Sequence, residues 1–463
     1  MDDSTYEYRI VRDFAYSALI WLILGLTAGL WIAFEMFDPA LNLTPWLSFG
    51  RVRVVHTSIL TFGFALSAIF ATAYYMLQRL TRASLPFPRL ARGHLYLFNV
   101  TMLLAAATLM AGMNSSREYA ELEWPLDILV LIFWGMFAVN AFAILIRRRE
   151  KQMYISIWYL ISMTVSIALL YVVNNLEIPV TPFKSYSVYA GAADANVQWW
   201  YGHNIIGFIF TMPILAMFYY FLPKSTGLPI YSHRLSIVSF WSLIFAYLWT
   251  GAHHLILTPL PEWIQTVALA FSIFLIAPSW GVVINGYYTL KGNGEQIRSN
   301  HLAKFFIFGV TFYALQTLQG PLQGLRTVNA FFHYSDWVIG HVHMGAMGWV
   351  TMIISGSFYY MIPKITGKEL YSVRLANVHF WLILAGQLAL TIVMWVGGIL
   401  QGAMLKATNP DGSLTYSFLD TLNALYPYYQ LRFAAGAVYY TGILLFVWNI
   451  IRTVSRKPAA TGA

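Results

Sequence analysis

About twelve apolar runs, each long enough to cross a lipid bilayer, recur along this chain of 463 residues. Hydrophobic residues make up 59% of the chain and charged residues only 10%, whereas soluble domains carry roughly 25% charged residues. A backbone inside lipid must satisfy its own hydrogen bonds, and a run of about 20 residues does so as a helix. The sequence therefore predicts an all-α integral membrane bundle of about 12 transmembrane helices. The predicted spans are 15–34, 55–77, 96–113, 128–146, 155–173, 200–222, 237–257, 267–287, 305–322, 337–362, 376–400 and 433–451.

The connections between these runs are short. We therefore expect a single bundle domain over residues 1–463, with no soluble domain and no internal repeat. The chain starts with Met1-Asp2-Asp3-Ser4, which lacks the basic region and the cleavage site of a signal peptide. The first helix is therefore expected to be retained.

The net charge of +9 is distributed unevenly along the chain. Basic residues crowd alternate loops, at 79–92, 147–151, 224–234, 298–304, 364–374 and 452–457. The intervening loops hold most of the acidic residues: Asp38, Glu118, Glu121, Glu123, Glu177, Asp194 and Glu262. This alternation is the positive-inside pattern of membrane proteins, and it places both termini in the cytoplasm. It accounts for the positive charge without nucleic-acid binding.

The chain contains no cysteine. A disulfide, an iron–sulfur cluster and a thiolate copper site therefore cannot form within it. A covalently attached c-type haem is excluded as well, because its attachment requires a CxxCH motif.

Six of the eleven histidines lie in the predicted spans, where histidine is costly and rare. Neutral imidazole is a common ligand of iron and copper, so this set indicates metal binding inside the membrane. The six are His56, His203, His253, His254, His341 and His343.

The predicted orientation puts all six histidines in the outer third of the bilayer. His56 begins the second span, and His203 is expected just inside the outer start of the sixth span. The pair at 253–254 ends the seventh span, and the pair at 341 and 343 lies one turn into the tenth. Four separate helices thus converge on one layer.

Helix geometry separates the roles of the paired histidines. His341 and His343 are two residues apart and point roughly 200° apart around a regular helix, so they can serve two cofactors but not one ion. His253 and His254 point roughly 100° apart and can converge on one metal if the helix end is irregular. The other buried histidines, His94, His233, His301 and His379, are expected to be structural.

Several long segments resemble one known family. They are 117–128 (REYAELEWPLDI), 174–180 (NNLEIPV), 184–191 (KSYSVYAG), 198–204 (QWWYGHN), 247–254 (YLWTGAHH), 336–349 (DWVIGHVHMGAMGW) and 414–420 (LTYSFLD). Together they resemble the catalytic subunit of cbb3-type cytochrome c oxidases, the C-family of haem–copper oxygen reductases. The resemblance covers nearly the whole chain.

The resemblance implies a terminal respiratory oxidase that reduces O2 to water with four electrons, coupled to proton uptake and proton pumping. It implies a low-spin haem b held by His56 and His343 and a high-spin b-type haem on His341. It also implies copper on three further histidines and a tyrosine cross-linked to one of them. The copper set matches His203, His253 and His254, and the cross-linked pair matches Tyr247 with His203.

The resemblance also implies partners and a location. Electrons come from membrane-anchored c-type cytochrome subunits, with soluble cytochrome c as the indirect donor. The membrane is the bacterial inner membrane, with the metal centres toward its periplasmic side.

Tyr247 precedes His254 by seven residues, so both lie on one helix face, and the phenol lies roughly 10 Å deeper toward the cytoplasm. No acidic residue occurs between Asp194 and Glu262. A proton path to Tyr247 would therefore need hydroxyls and water, and Ser236, with Ser239 and Ser242 nearby, is a candidate to line it. The alternative is that these serines only ease helix packing.

Charged groups beside the histidines have alternative interpretations. Arg51 and Arg53 suit haem propionates, since arginine binds carboxylates through paired hydrogen bonds, or they anchor the topology. Glu118 matches the calcium position of the family, with Glu121 and Glu123 as competing candidates and a solvated acidic loop as the alternative. His333, in an outer loop, is a candidate contact of a cofactor carboxylate.

Two positions depart from the family pattern. Gln319 stands where the family usually has Glu, near the predicted place of His341, and Ser239 stands where His is expected. A carboxylate at 319 would strengthen the histidine as a ligand and lower the potential of the iron, and a neutral amide should do less of both.

Other classes remain as alternatives. A nitric oxide reductase of the same superfamily would use non-haem iron, a carboxylate beside the three histidines, and no cross-linked tyrosine. A dihaem electron-transfer protein would leave the copper-type histidines unexplained. A transporter would be expected to have its polar groups near the membrane midplane.

Overall fold

The computed structural model describes residues 6–456. The expectations about Met1-Asp2-Asp3-Ser4 and about Lys457 lie outside the described residues. Within them, twelve long helices form one bundle. Their bounds are α1 Tyr8–Glu35, α2 Phe49–Thr81, α3 Pro88–Ala111, α4 Trp124–Ile146, α5 Ile155–Asn174, α6 Gly191–Thr226, α7 His233–Leu255, α8 Glu262–Leu290, α9 His301–Gly324, α10 Asp336–Thr366, α11 Val373–Lys406 and α12 Phe418–Ser455.

Eleven of these helices, all but α9, are long and apolar enough to cross a membrane by length and composition within the described chain. Helix α9 has 24 residues and at 1.5 Å per residue spans roughly 36 Å, which is also sufficient. Each helix coincides with one predicted span, so the bundle of about twelve helices is confirmed. Short helices at Pro39–Leu41, Pro45–Leu47, Gly294–Ser299 and Arg326–Phe332 lie in the connections.

Four helices, α1, α3, α6 and α12, begin seven or more residues before the apolar run that predicted them. Helix α6 starts at Gly191 rather than near 200, and α12 starts at Phe418 rather than near 433. His203 therefore lies twelve residues, roughly 18 Å, inside its helix, and the expectation that it lies just inside the helix start is wrong. Hydropathy detects only the apolar part of a helix, whereas the backbone of α6 continues through the polar turns around Asp194.

A β-hairpin interrupts the otherwise helical chain between α5 and α6. Strand β1 (Glu177–Thr181) pairs antiparallel with β2 (Lys184–Ser187). Trp124 Nε1–H donates to the Thr181 carbonyl oxygen at 2.9 Å, and Arg117 pairs with Asp194 at 2.7 Å beside Ser187. The hairpin is thus attached to the loop before α4 and to the start of α6.

The prediction of no internal repeat is wrong at the level of local structure. Helices α6 and α10 both end in a Pro-Lys-x-Thr-Gly turn, at 223–227 and 363–367. The residue before the next helix is also held in the same way in both copies. The amides of Ser232 and Ser372 donate to the side-chain oxygens of Asn285 and Asn449, at 2.8 and 3.1 Å. The repeat is also present in the sequence itself, since residues 219–241 and 359–381 share thirteen identical residues at matching positions.

Candidate metal centre

The six membrane histidines lie where the helices are irregular. Widened π-helical turns occupy Ile59–Ala65, Gly207–Thr211 and Met344–Val350, and they begin one to four residues after His56, His203 and His343. The tighter segment Gly251–Leu255 contains the pair at 253–254. Such irregular turns re-aim side chains and recur at functional sites.

His56 and His343 face each other across a gap. Their ring centroids are 6.4 Å apart and their planes are inclined by 18°. This distance is too long for direct ring contact. Two imidazoles that bind one metal from opposite sides, each with its nitrogen at about 2 Å, have centroids roughly 6 Å apart. The gap therefore fits an iron between the two rings.

The His56 ring packs against helix α1 at two glycines, Gly25 and Gly29. The Nδ1–H of His56 donates to the Gly25 carbonyl oxygen at 2.7 Å. One turn further along α1, a Cβ atom at Gly29 would lie 2.5 Å from His56 Cε1, closer than atoms can approach. Glycine at this position therefore admits the ring, and the hydrogen bond leaves Nε2 free for a metal.

His341 and His343 use Nδ1 in the same way. His343 Nδ1–H donates to the Ile339 carbonyl oxygen at 2.8 Å, and His341 Nδ1–H donates to Gln319 Oε1 at 3.0 Å. Each bond leaves Nε2 available. His341 faces α9 while His343 faces His56, so the two rings point to different neighbours, as the helix geometry predicted.

His203, His253 and His254 form one cluster, with a nitrogen from each ring within 4.8 Å of the others. The ring centroid of His203 is 4.4 Å from that of His253 and 5.5 Å from that of His254. His203 Nε2 is buried without a hydrogen-bond partner among residues 6–456. A buried imidazole nitrogen without a partner is costly, and a metal ion held by three imidazoles would satisfy it.

The end of α7 reaches this cluster through close backbone contact with α6. A Cβ atom at Gly251 would lie 2.5 Å from the Trp199 carbonyl oxygen, so only glycine allows the two segments to touch. The Trp199 ring then stacks on His254, with centroids 4.2 Å apart and planes inclined by 18°. Tertiary packing, rather than regular helix geometry, thus brings His253 and His254 into one cluster with His203.

Tyr247 lies beside the cluster. Its ring centroid is 5.6 Å from that of His203, and its hydroxyl is 3.0 Å from Thr211 Oγ1. The side chain is 7% exposed. The structure thus brings the tyrosine next to the predicted partner of its cross-link, and Thr211 is a contact that sequence reasoning missed.

Four predicted residues lie at the edge of the site. Arg51 Nη1–H donates to the Met110 carbonyl oxygen at 3.0 Å, near the end of α3. Arg53 Nη1 lies 3.6 Å from Glu118 Oε1, with both side chains partly exposed. These contacts fit the alternative role of Arg51 as an anchor, while propionate and calcium binding stay predictions.

His333, the fourth of these residues, is half-buried in the outer connection between α9 and α10. Its Nδ1 lies 3.1 Å from Asn329 Oδ1. Burial lowers the pKa of His333 below its ordinary value, so the ring is biased toward the neutral form. Contact with a cofactor carboxylate stays a prediction.

An ion pair that was not predicted from the sequence lies near His56 and His343. Arg432 Nη1 lies 3.3 Å from Asp336 Oδ1, and the two side chains are only 13% and 15% exposed. Arg432 also interacts electrostatically with His56 and His343. The available signal was Arg432 itself, an arginine directly before the predicted span that begins at 433.

Of the serines proposed to line a proton path, Ser236 and Ser239 are buried and Ser242 is half-buried. Ser236 Oγ–H donates to the His233 carbonyl oxygen at 2.6 Å, and Ser239 packs against Gly281. Both contacts fit the packing alternative, and the path stays a prediction. His94 and His379, expected to be structural, are fully buried and bonded through Nδ1 to the hydroxyls of Tyr74 and Tyr359.

The chain is similar to known proteins over nearly its whole length. It matches the family described as Cytochrome C and Quinol oxidase polypeptide I over residues 9–438. It is 47% identical to the Cbb3-type cytochrome c oxidase subunit CcoN1 of Stutzerimonas stutzeri over 98% of this chain and 97% of that protein. It is 40% identical to the Cytochrome c oxidase subunit 1 homolog of Agrobacterium tumefaciens over 99% and 86% of the two chains.

More distant similarities are also present. A nitric oxide reductase polypeptide of Stutzerimonas stutzeri is 24% identical over 91% of this chain and 90% of that protein. A solved structure of a heme-copper terminal oxidase dimer matches with a TM-score of 0.80, covering 97% of this chain and 84% of the other, at 16% identity. At that identity the likeness concerns the fold alone.

Proposed function

Because the chain belongs to the family of Cytochrome C and Quinol oxidase polypeptide I, we propose that it is the catalytic subunit of a terminal respiratory oxidase of the cbb3 type. It reduces O2 to water with four electrons from c-type cytochromes, in a multi-pass membrane protein. The whole chain, residues 1–463, acts as one catalytic domain.

The observation that carries this proposal is the cluster of His203, His253 and His254. Within the described chain, the group that could hold a metal consists of three histidines and contains no carboxylate. Three imidazoles suit copper, whereas the non-haem iron of a nitric oxide reductase is expected beside a carboxylate. The 47% identity to an oxidase polypeptide, against 24% to a reductase polypeptide, agrees with this choice.

The proposed ligands follow from the free Nε2 atoms. His56 and His343 hold a low-spin haem b, His341 holds a high-spin b-type haem, and the cluster holds copper. When bound, the high-spin haem and copper supply the open coordination position and part of the electrons for oxygen. The chain itself fixes the imidazoles of His56, His253, His341 and His343 through hydrogen bonds at Nδ1.

Tyr247 is proposed to supply a proton and an electron from beside His203. Its hydroxyl makes a hydrogen bond with Thr211 of α6, and this bond orients the phenol toward that helix. Ser236 and Ser239 lie on the same helix as Tyr247, toward its start, and are proposed to lead protons toward it.

The proposed topology places both termini in the cytoplasm of a bacterium and the histidines toward the periplasmic side of the inner membrane. Membrane-anchored c-type cytochrome subunits would then deliver electrons from soluble cytochrome c on that side. Glu118, paired with Arg53, is the proposed calcium ligand, and Arg51, Arg53 and His333 are proposed to face haem carboxylates.

The proposal is tested on the complex purified from its membrane. We expect haem and copper in the preparation, and oxygen uptake driven by reduced cytochrome c that exceeds nitric oxide consumption. His203→Ala should lose copper and oxygen uptake, whereas His233→Ala, at the cytoplasmic start of α7, should retain both. Extra iron without copper, together with faster nitric oxide consumption, would overturn the proposal in favour of a nitric oxide reductase.

A further inference from the structure

A serine on α8 contacts one histidine of the cluster. His253 Nδ1 lies 2.6 Å from Ser272 Oγ, and this serine side chain is only 1% exposed. The two residues belong to different helices, and nineteen positions separate them in the sequence. No sequence motif connects them.

The hydroxyl proton of Ser272 is already used. Ser272 Oγ–H donates to the Ala268 carbonyl oxygen at 2.7 Å, one turn earlier in α8. A hydroxyl has a single proton to donate and two lone pairs that accept. Toward His253 it can therefore only accept, so the proton of the ring lies on Nδ1. Nε2 is then the unprotonated nitrogen that remains for a metal.

The contact between the two residues is closely packed. A Cβ atom at Gly324, at the end of α9, would lie 3.9 Å from the Cβ atoms of both His253 and Ser272. Three helices thus meet around this pair. The other two histidines of the cluster contact rings, since His254 stacks on Trp199 and His203 lies beside Tyr247. Of the three histidines, only His253 makes a hydrogen bond through Nδ1 within residues 6–456.

We infer that Ser272 is a positioning residue of the metal centre: it accepts the Nδ1 proton of His253 and thereby fixes the tautomer and the rotation of that ring for metal binding. This inference rests on the proposed copper site. Without the hydroxyl, the Nδ1–H of His253 would be buried and unpaired, and the ring would be free to turn or to move its proton to Nε2. Either change opposes metal binding.

Substitutions at position 272 separate positioning from packing. Ser272→Ala removes the acceptor and leaves the volume nearly unchanged. Ser272→Thr keeps the hydroxyl and adds one methyl group. Ser357→Ala is the matched control, because Ser357 is fully buried and donates one turn back to the Ile353 carbonyl oxygen at 2.7 Å, as Ser272 does to Ala268, but is not part of the site.

The measurement is copper retention in the intact complex, titrated with a copper(I) chelator, with both haem spectra recorded on each sample. Loss of a partner that orients a metal-binding histidine commonly weakens metal binding by about 10- to 100-fold. We expect Ser272→Ala to lose copper at about 10- to 100-fold lower chelator concentration with normal haem spectra. Ser272→Thr and Ser357→Ala should match the parent complex.

Copper retention by Ser272→Ala equal to that of the parent would overturn the inference. So would a simultaneous loss of copper and both haems, since that result assigns Ser272 to packing alone. A parent complex that contains haem but no copper would instead overturn the proposed oxidase function, which keeps the two failures distinguishable.

Discussion

His341 Nδ1 and Gln319 Oε1 lie 3.0 Å apart, and Gln319 is 6% exposed. The amide nitrogen of Gln319 is buried without a partner in the described part of the chain. A neutral amide therefore stands behind the proposed ligand of the high-spin haem, where the resemblance predicts a carboxylate. The contact joins two helices, and the sequence predicted only that Gln319 lies near His341.

Gln319→Glu should lower the reduction potential of the high-spin haem. A carboxylate that accepts the Nδ1 proton makes the imidazole a stronger donor and stabilises the oxidised iron. We expect a downward shift on the order of 59 mV, which corresponds to a tenfold change for one electron. Spectroelectrochemical titration measures it, and the low-spin haem in the same sample serves as the internal control. An unchanged or raised potential contradicts the prediction.

Gly29→Ala should displace the low-spin haem. The added methyl group would lie 2.5 Å from His56 Cε1, so the ring or helix α1 has to move. Overpacking of this kind costs about 1–3 kcal/mol. The optical spectrum should lose low-spin haem while copper is retained. Gly135→Ala is the control, since nothing lies within 4 Å of its Cβ position. Equal haem content in both variants would show that the close contact is unimportant.

Tyr247→Phe should abolish most turnover without loss of metals. The variant keeps the ring beside His203 but removes the hydroxyl that contacts Thr211. A lost proton donor costs about 10²- to 10⁴-fold in rate, so we expect oxygen uptake to fall by at least about 10²-fold. Tyr189→Phe, which removes an outer hydroxyl bonded to the Val173 carbonyl oxygen, is the control. Turnover of Tyr247→Phe within tenfold of the parent would contradict the proposed role.

Glu121 should make the stability of the complex fall as pH rises. Burial, with a smaller contribution from Glu118, raises the pKa of Glu121 from its ordinary value of 4.5 to about 7. The folded chain therefore holds this proton more tightly than the unfolded chain. The resulting stabilisation, about 3 kcal/mol, is complete below pH 4.5 and is lost as pH rises to about 7.

Glu121→Gln should remove this dependence. The midpoint of thermal unfolding in detergent should fall less between pH 5 and pH 8 in Glu121→Gln than in the parent. Glu118→Gln, at a partly exposed position, serves as the comparison and should retain most of the pH dependence. Parallel curves for Glu121→Gln and the parent would refute the prediction.

The pattern of apolar runs predicted all twelve helices, because hydropathy over about 20 residues is a local property of the chain. It failed at the starts of α1, α3, α6 and α12, where polar turns continue a helix. It also missed the β-hairpin of β1 and β2, because that hairpin depends on distant contacts such as Trp124 with Thr181. The repeat of 219–241 at 359–381 is present in the sequence, but the matching bonds of Ser232 to Asn285 and of Ser372 to Asn449 form only between helices that are distant in the chain.

The sequence by itself determined the membrane bundle, the set of six histidines and the separation of His341 from His343, since each follows from composition or from the 3.6-residue turn. Tertiary structure decided what each ring contacts. Gly25 for His56, Gln319 for His341 and Ser272 for His253 lie 31, 22 and 19 residues from their histidines. These partners meet only when different helices pack together. Local periodicity places a residue on a helix face, but it does not specify the atom on the neighbouring helix that fixes its proton.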